Sequence, residues 1–258
     1  MRIILEYWKL NFLSIIEYKI SFIIQVFAMI LNDIAFVWVW YMFFAKFGEI
    51  WGMNFWEFAV LLSIVVLVFA ILHIFFWGYL NLSTIIEQGK LDNHLLLPKS
   101  ILVRILSNNM MVSAFWDLVF AFMILYFVPD LSIILVLKII ILSFLWALTF
   151  LWFLLIFISF WFFVWSSKNL VKWVFESILW PSHYPPWIFE GTILKYIFMT
   201  IIPVFYVIFL PYNLTINFTF IWFLELLLST SVFLFLWILT FYKWLKRYES
   251  GNMLNTNI

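Results

Sequence analysis

An uncharged and mostly apolar run extends from position 139 to position 165. At about 1.5 Å per helical residue, a helix over this run is long enough to cross the hydrocarbon core of a bilayer. Other apolar segments of spanning length flank it. Hydrophobic residues make up 67% of the chain and charged residues 10%, which leaves too little polar surface for a soluble domain of this size. The sequence therefore predicts an all-α integral membrane protein.

Composition and charge exclude several classes of function. The formal net charge is +1, so no large basic surface for nucleic acid is expected. The chain contains no cysteine, which excludes disulfides and thiolate metal sites. The three histidines lack the spacing of metal ligands: His73, His94 and His183. No paired carboxylates or nucleophile–histidine arrangement appear in the loops, so a membrane enzyme is the least favoured class.

Apolar segments predict six spans in a single transmembrane domain over residues 1–258. The spans are expected at about 20–45, 56–80, 110–128, 132–165, 192–210 and 218–242. A polar loop over 81–109 separates the second span from the third. Pro211 is expected to end the fifth span, with a short turn over 212–217 after it. Alternatively, the fifth span begins near Lys168 and residues 192–210 form a re-entrant or interfacial hairpin.

Residues 1–18 are apolar but interrupted by charges, and they predict a helix that lies in the membrane interface. The charged residues fall about one or two helical turns apart: Arg2, Glu6, Lys9 and Glu17. Apolar residues occupy the other side: Ile4, Tyr7, Trp8, Phe12 and Ile15. This amphipathic pattern is typical of an interfacial helix. The alternative is the beginning of a long first span.

The positive charges predict the orientation in the membrane. Twelve of the 14 lysines and arginines fall on one side of the six predicted spans, and only Lys46 and Lys138 fall toward the other. By the positive-inside rule, both termini and the 81–109 loop are cytoplasmic. We therefore expect a multi-pass protein of the plasma (inner) membrane.

The loop over 81–109 contains the most distinctive segment of the chain. Gly89 is expected to break one helical turn, and Asp92 is expected to cap a new one. Three leucines are expected to form one apolar face, and a proline then stops the element: Leu91, Leu95, Leu96 and Pro98. A short helix with an apolar face and a polar rim suits docking into a groove on a soluble partner. It equally suits a helix that rests on the membrane surface.

The pattern Glu87-x-Gly89-x-Leu91-Asp92-x-x-Leu95-Leu96-x-Pro98 resembles the cytoplasmic loop of the permease subunits of type-2 ATP-binding-cassette (ABC) transporters. The resemblance is closest to an uncharacterised export permease branch. It extends to the interfacial helix, the six spans and three later segments, at 184–189, 201–205 and 210–211. It implies an ABC exporter half in which this loop is the coupling helix for an ATPase subunit. It also implies a membrane core of two permease subunits, of the same or a related chain.

No nucleotide site accompanies this resemblance. The only Gly-Lys pair is Gly89-Lys90, and no glycine precedes it at the spacing of a phosphate-binding loop. We therefore expect that this chain is not an enzyme and binds no cofactor, and that ATP and Mg²⁺ bind to the partner ATPase.

A few polar residues within the predicted spans are candidates for a transport pathway. They are Asn32, Asp33, His73 and Asp117. Such residues are costly in lipid and are usually buried against protein or water. They serve either a substrate or proton path or an interhelical hydrogen bond that sets packing. The alternative function is therefore a proton-coupled secondary transporter in which the two aspartates and the histidine form a relay. The sequence names no substrate.

Overall fold

The computed structural model describes residues 2–49, 53–96, 101–129, 131–159, 176, 189, 191–200 and 210–246. These residues are mostly α-helical and include no β-strand. Numbered along the chain, the helices are α1 (Arg2–Glu17), α2 (Lys19–Phe47), α3 (Phe55–Phe75), α4 (Tyr79–Glu87), α5 (Leu91–Leu95), α6 (Ile101–Leu106), α7 (Ala114–Tyr126), α8 (Ile133–Ser159), α9 (Ile193–Thr200), α10 (Leu210–Ile216) and α11 (Phe220–Leu245).

Four helices in the described part are long and apolar enough to cross a membrane. They are α2, α3, α11 and the Ile133–Ile156 part of α8. The α7 helix is equally apolar but has only 13 residues. The prediction of a helical protein with several apolar spans is therefore confirmed for the described residues, while the count of six spans stays a prediction.

The α3 helix forms the centre of the fold. It packs against α7 and α8, with α2 at one edge of the row of helices and α11 against the far side of α8. Each of the four candidate spans contains a stretch of 18 residues that is its most apolar part. In α3, 83% of that stretch is buried, but only 6% is buried in α2 and 17% in α11. The two edge helices therefore present most of their apolar surface to lipid or to another membrane subunit.

Aromatic and hydroxyl contacts join α8 to α11. The Trp152 and Trp237 rings stack with centroids 5.1 Å apart. The hydroxyl oxygens of Thr149 and Thr230 lie 2.6 Å apart and share a hydrogen bond. Hydroxyl pairs of this kind hold helices together in lipid, where the hydrophobic effect between helices is absent.

Helix α1 lies against the end of α3 that leads into the α4–α6 region. The Trp8 indole Nε1 donates a hydrogen bond to the Phe75 carbonyl at 3.2 Å. The Asn11 amide Nδ2 donates one to the Ser107 carbonyl at 3.0 Å. One side of α1 is thus tied to the protein near the end of a span, while its position in the membrane interface stays a prediction.

The second and third spans are shorter than the sequence suggests. Helix α3 ends at Phe75 rather than near position 80, and α7 begins at Ala114 rather than at Met110. The Met111 backbone N–H donates to the His73 carbonyl at 3.0 Å. This bond satisfies a carbonyl in the last turn of α3 and holds the segment before α7 out of the helix.

The predicted turn over 212–217 is wrong, because α10 (Leu210–Ile216) occupies most of it. Pro211 is the second residue of that helix, and proline is tolerated in a first turn because the N–H it lacks has no intrahelical partner there. The helix packs against α8 and α11. Of the other predicted spans, residues 160–165 and 201–209 lie outside the described residues.

Candidate functional site

We call the segment from α4 to α6 the α4–α6 hairpin. At its base, the backbone of Gly78 contacts the backbone of Ile105 and Leu106. The Gly78 N–H donates to the Leu106 carbonyl at 3.2 Å. A Cβ atom at Gly78 would lie 1.8 Å from the Ile105 carbonyl oxygen. Only glycine leaves room for this contact, which joins the beginning of α4 to the end of α6.

The end of α4 is closed by a Schellman motif. Gly89 has a φ of 64°, which glycine adopts without the steric cost of a Cβ atom. Its N–H donates to the Ile86 carbonyl at 3.1 Å, and the Lys90 N–H donates to the Ile85 carbonyl at 3.0 Å. The predicted break at Gly89 is confirmed. Glu87 is the last residue of α4.

The three leucines of α5 and its end do not share one face. Leu91 is fully buried, whereas Leu95 is 46% exposed and Leu96 is 85% exposed. The expected common face is therefore wrong for Leu91, because α5 is only five residues long and its first residue is covered by the core of the chain. Leu91 anchors the short helix, and Leu95 and Leu96 form the exposed apolar tip of the hairpin.

Asp92 does not cap α5. The residue before the helix is Lys90, which makes no side-chain capping bond, and Asp92 lies half-buried in the first turn. A carboxylate in that position still interacts favourably with the helix dipole. Pro98 lies outside the described residues, while α5 already ends at Leu95.

A buried arginine holds α5 to α6. The Arg104 Nη2 donates to the His94 carbonyl at 2.6 Å, and Arg104 is only 5% exposed. Burial, and then the positive charge of Arg104, lower the pKa of His94 below its ordinary value. The His94 Nδ1 atom is buried without a hydrogen-bond partner among the described residues.

The second group of polar residues lies between α2 and α7. The Trp116 indole Nε1 donates to the Asp33 Oδ2 at 3.0 Å, and the Asn32 amide donates to the Asp33 Oδ1 at 3.4 Å. Asp117, the next residue of α7, is buried, with 2% of its surface exposed. The structure thus places Asn32 and Asp33 beside the first turn of α7, which carries Trp116 and Asp117.

His73 lies near the end of α3 and is bonded toward α4. Its Nδ1 donates to the Phe69 carbonyl at 2.8 Å, and the Tyr79 hydroxyl donates to its Nε2 at 3.4 Å. These bonds join the central helix to the first residue of the α4–α6 hairpin. The arrangement suits a structural link more closely than a proton relay.

An apolar cleft lies along α2 and α7, and its lining includes neither Asp33 nor Asp117. It has two overlapping compartments of about 280 Å³ and about 470 Å³, both lined by Val37, Tyr41, Phe55, Ile124 and Phe127. Within the described residues, no group of three His, Asp or Glu side chains could hold a metal ion.

Sequence reasoning missed several residues of these sites: Gly78, Tyr79, Arg104 and Trp116. The sequence did contain a signal for Arg104. It is the one charged residue in the apolar segment 101–106, and a charge that is buried there needs a partner. The adjacent Trp116-Asp117 pair is another, since an indole N–H in a span requires an acceptor. The role of Gly78 depends on a distant backbone and has no local signal.

The fold defines a class of protein: a helical membrane component with several candidate spans and a hairpin of short helices, the α4–α6 hairpin, after α3. The family described as ABC-2 family transporter protein matches residues 27–251. The chain belongs to this family. Its members are membrane transport components rather than catalytic subunits, and membership implies partnership with ABC ATPase subunits. No curated protein and no solved structure matches the chain.

Proposed function

We propose that this chain is the transmembrane permease subunit of an ATP-driven exporter, coupled through α5 to a separate ATPase. The observation that carries the proposal is the exposure of Leu95 and Leu96 at the tip of a fixed hairpin, at 46% and 85%. Apolar side chains on a small protruding helix are typical of docking into a groove. An ATPase subunit is the partner that the family provides.

Coupling also requires that α5 move together with the spans. Several contacts fix the hairpin at both ends. Tyr79 is bonded to His73 of α3, and Gly78 to Leu106 of α6. Arg104 of α6 is bonded in turn to the last turn of α5. A displacement of the tip by a partner would therefore be transmitted to the inner end of α3 and to the segment before α7.

A second permease subunit completes the proposed assembly. A single bundle of six spans encloses little space for a large cargo, and the apolar surfaces of α2 and α11 are open. We propose that two permeases, of this or a related chain, form the pathway in the plasma (inner) membrane with both termini cytoplasmic. ATP and Mg²⁺ then bind to the two ATPases, and this chain contributes no catalytic residue.

A proton-coupled secondary transporter is the weaker alternative. It requires a relay of Asp33, Asp117 and His73, and the hydrogen bonds of His73 tie it to Phe69 and Tyr79. Membership of an ABC transporter family favours ATP as the energy source.

The test is purification of the tagged chain from its own host. The proposal predicts an ABC ATPase in the complex, MgATP hydrolysis by that complex, and loss of the ATPase when Leu95 and Leu96 are both replaced by Ser. Purified permease that transports cargo along a proton gradient without any ATPase would refute the proposal and establish the alternative.

A further inference from the structure

Helix α5 is attached to the rest of the chain at both of its ends. At its first residue, Leu91 is fully buried in the main apolar core. In its last turn, the His94 carbonyl accepts a hydrogen bond from the Arg104 Nη2 at 2.6 Å. A helix that is attached at one end can pivot about that end, whereas two attachments fix its direction. The direction of the exposed tip, Leu95 and Leu96, therefore depends on Arg104.

The bond from Arg104 is of the kind that a short helix needs. Helix α5 has five residues, far fewer than a helix needs to be stable alone, and the last carbonyls of a helix have no partner within it. A guanidinium satisfies such a carbonyl and interacts favourably with the negative end of the helix dipole. Arg104 is buried, so water competes little with this charged hydrogen bond.

Helix α6, which carries Arg104, is itself fixed to two other elements. Leu106 and Ser107 at its end are buried. The Leu106 carbonyl accepts from the Gly78 N–H at 3.2 Å, and the Ser107 carbonyl accepts from the Asn11 amide of α1 at 3.0 Å. A force on Arg104 therefore acts on a helix that is held against the beginning of α4 and against α1, just before the segment that leads into α7.

We propose that Arg104 is a positioning residue that converts docking at the α5 tip into movement of the spans. The inference rests on the proposed function and separates two steps within it. Leu95 and Leu96 bind the ATPase, and Arg104 fixes the direction in which the bound tip pushes on α6. Without Arg104 the tip keeps its apolar side chains and its anchor at Leu91, so the ATPase stays attached. The tip then pivots, and its displacement no longer reaches the segment before α7.

The test uses the complex of the full chain with its ATPase in nanodiscs and requires no cargo. The chain has no cysteine, so Asn109→Cys places its single thiol at an exposed position in the segment before α7. The rate at which a water-soluble maleimide labels this thiol is measured without nucleotide and after trapping with MgATP and vanadate. We expect the two rates to differ about fivefold or more when Arg104 is present, as is typical of coupled sites.

Two variants of Arg104 locate the effect. Arg104→Met removes the donor and should reduce the difference in labelling rate to about twofold or less, with ATPase affinity within about threefold of the unaltered chain. Arg104→Lys retains a charged donor and should recover about half of the difference, because a flexible ammonium replaces a rigid fork. The matched control is Lys9→Met, which removes an exposed positive charge from α1 and should change neither quantity.

Each other outcome decides against a defined claim. An unchanged labelling difference in Arg104→Met would overturn the inference, and so would loss of the ATPase from that variant, because Arg104 would then serve docking or folding. Equal loss of the difference in Arg104→Met and Arg104→Lys would overturn it too, since a charged donor would not be the cause. Absence of any ATPase from the unaltered chain would remove the proposed function, whereas a bound ATPase without a labelling difference would remove this inference alone.

Discussion

Replacing the two tip leucines by serine tests the docking role of α5 quantitatively. Complete burial of a leucine side chain contributes about 1.5–3 kcal/mol. Leu96 is 85% exposed and Leu95 is 46% exposed, so full coverage of both by a partner contributes roughly 2–4 kcal/mol. Loss of that term should weaken ATPase binding roughly 30- to 1,000-fold. Neutralising Lys90 on the exposed rim should cost roughly 1 kcal/mol or less.

The assay is a titration of purified ATPase onto the membrane subunit in nanodiscs. The matched control is the double change Leu10→Ser and Leu13→Ser on α1, where two leucines are also about half exposed or more. This control removes the same chemistry from another surface and should leave ATPase affinity within about twofold, a difference of roughly 0.4 kcal/mol. Equal losses in both double variants, or none at the tip, would refute the docking argument.

Three further predictions follow from the hairpin and the topology. Gly78→Ala places a Cβ atom 1.8 Å from the Ile105 carbonyl oxygen and should cost about 1–3 kcal/mol or more, seen as faster proteolysis within 79–106; an unchanged cleavage rate would contradict it. The pKa of His94 is lowered in the folded hairpin, so the unfolded hairpin binds a proton more readily than the folded one. The stability of the hairpin and the attachment of the ATPase should therefore be full above about pH 6.5 and fall below it. A His94→Gln variant should lose this pH dependence. A single cysteine in place of Asn54 should be labelled from outside the cell, and one in place of Asn93 from the cytoplasm. Labelling of the Asn93→Cys thiol from outside would show that the predicted orientation is reversed.

The apolar runs predicted the long helices because their physical requirement is local. A helix must be about 20 apolar residues long to cross the bilayer, and that length can be counted in the sequence. Helices α2 and α11 therefore lie within a few residues of their predicted positions. Gly89 was equally predictable, since a positive φ favours glycine wherever it occurs.

The ends of α3 and α7 depend on contacts that no local pattern contains. Residues 75–80 carry no charge and no proline, so their composition does not by itself place the end of α3 at Phe75. The break is set by Gly78, whose backbone packs against Ile105 and Leu106. The segment before α7 is held by the Met111–His73 bond. Both contacts join parts of the chain that are far apart in sequence.

Packing likewise determined which candidate residues work together. Helical spacing placed Leu91 and Leu95 on one face, but the core of the chain covers the first and leaves the second half exposed. The spacing could not show that Asp33 lies beside the first turn of α7, because the two are on different helices. The indole bond from Trp116 to Asp33 makes that contact.

The most direct test of the coupling role is protection of a single thiol at position 96. The chain has no cysteine, so Leu96→Cys introduces its only thiol, at a position 85% exposed. We expect rapid labelling by a water-soluble maleimide in the isolated subunit and at least tenfold slower labelling when the ATPase is bound. Labelling of Lys246→Cys, at an exposed position on the same predicted side, should not change. Equal labelling of position 96 with and without bound ATPase would contradict the claim that α5 couples the two subunits.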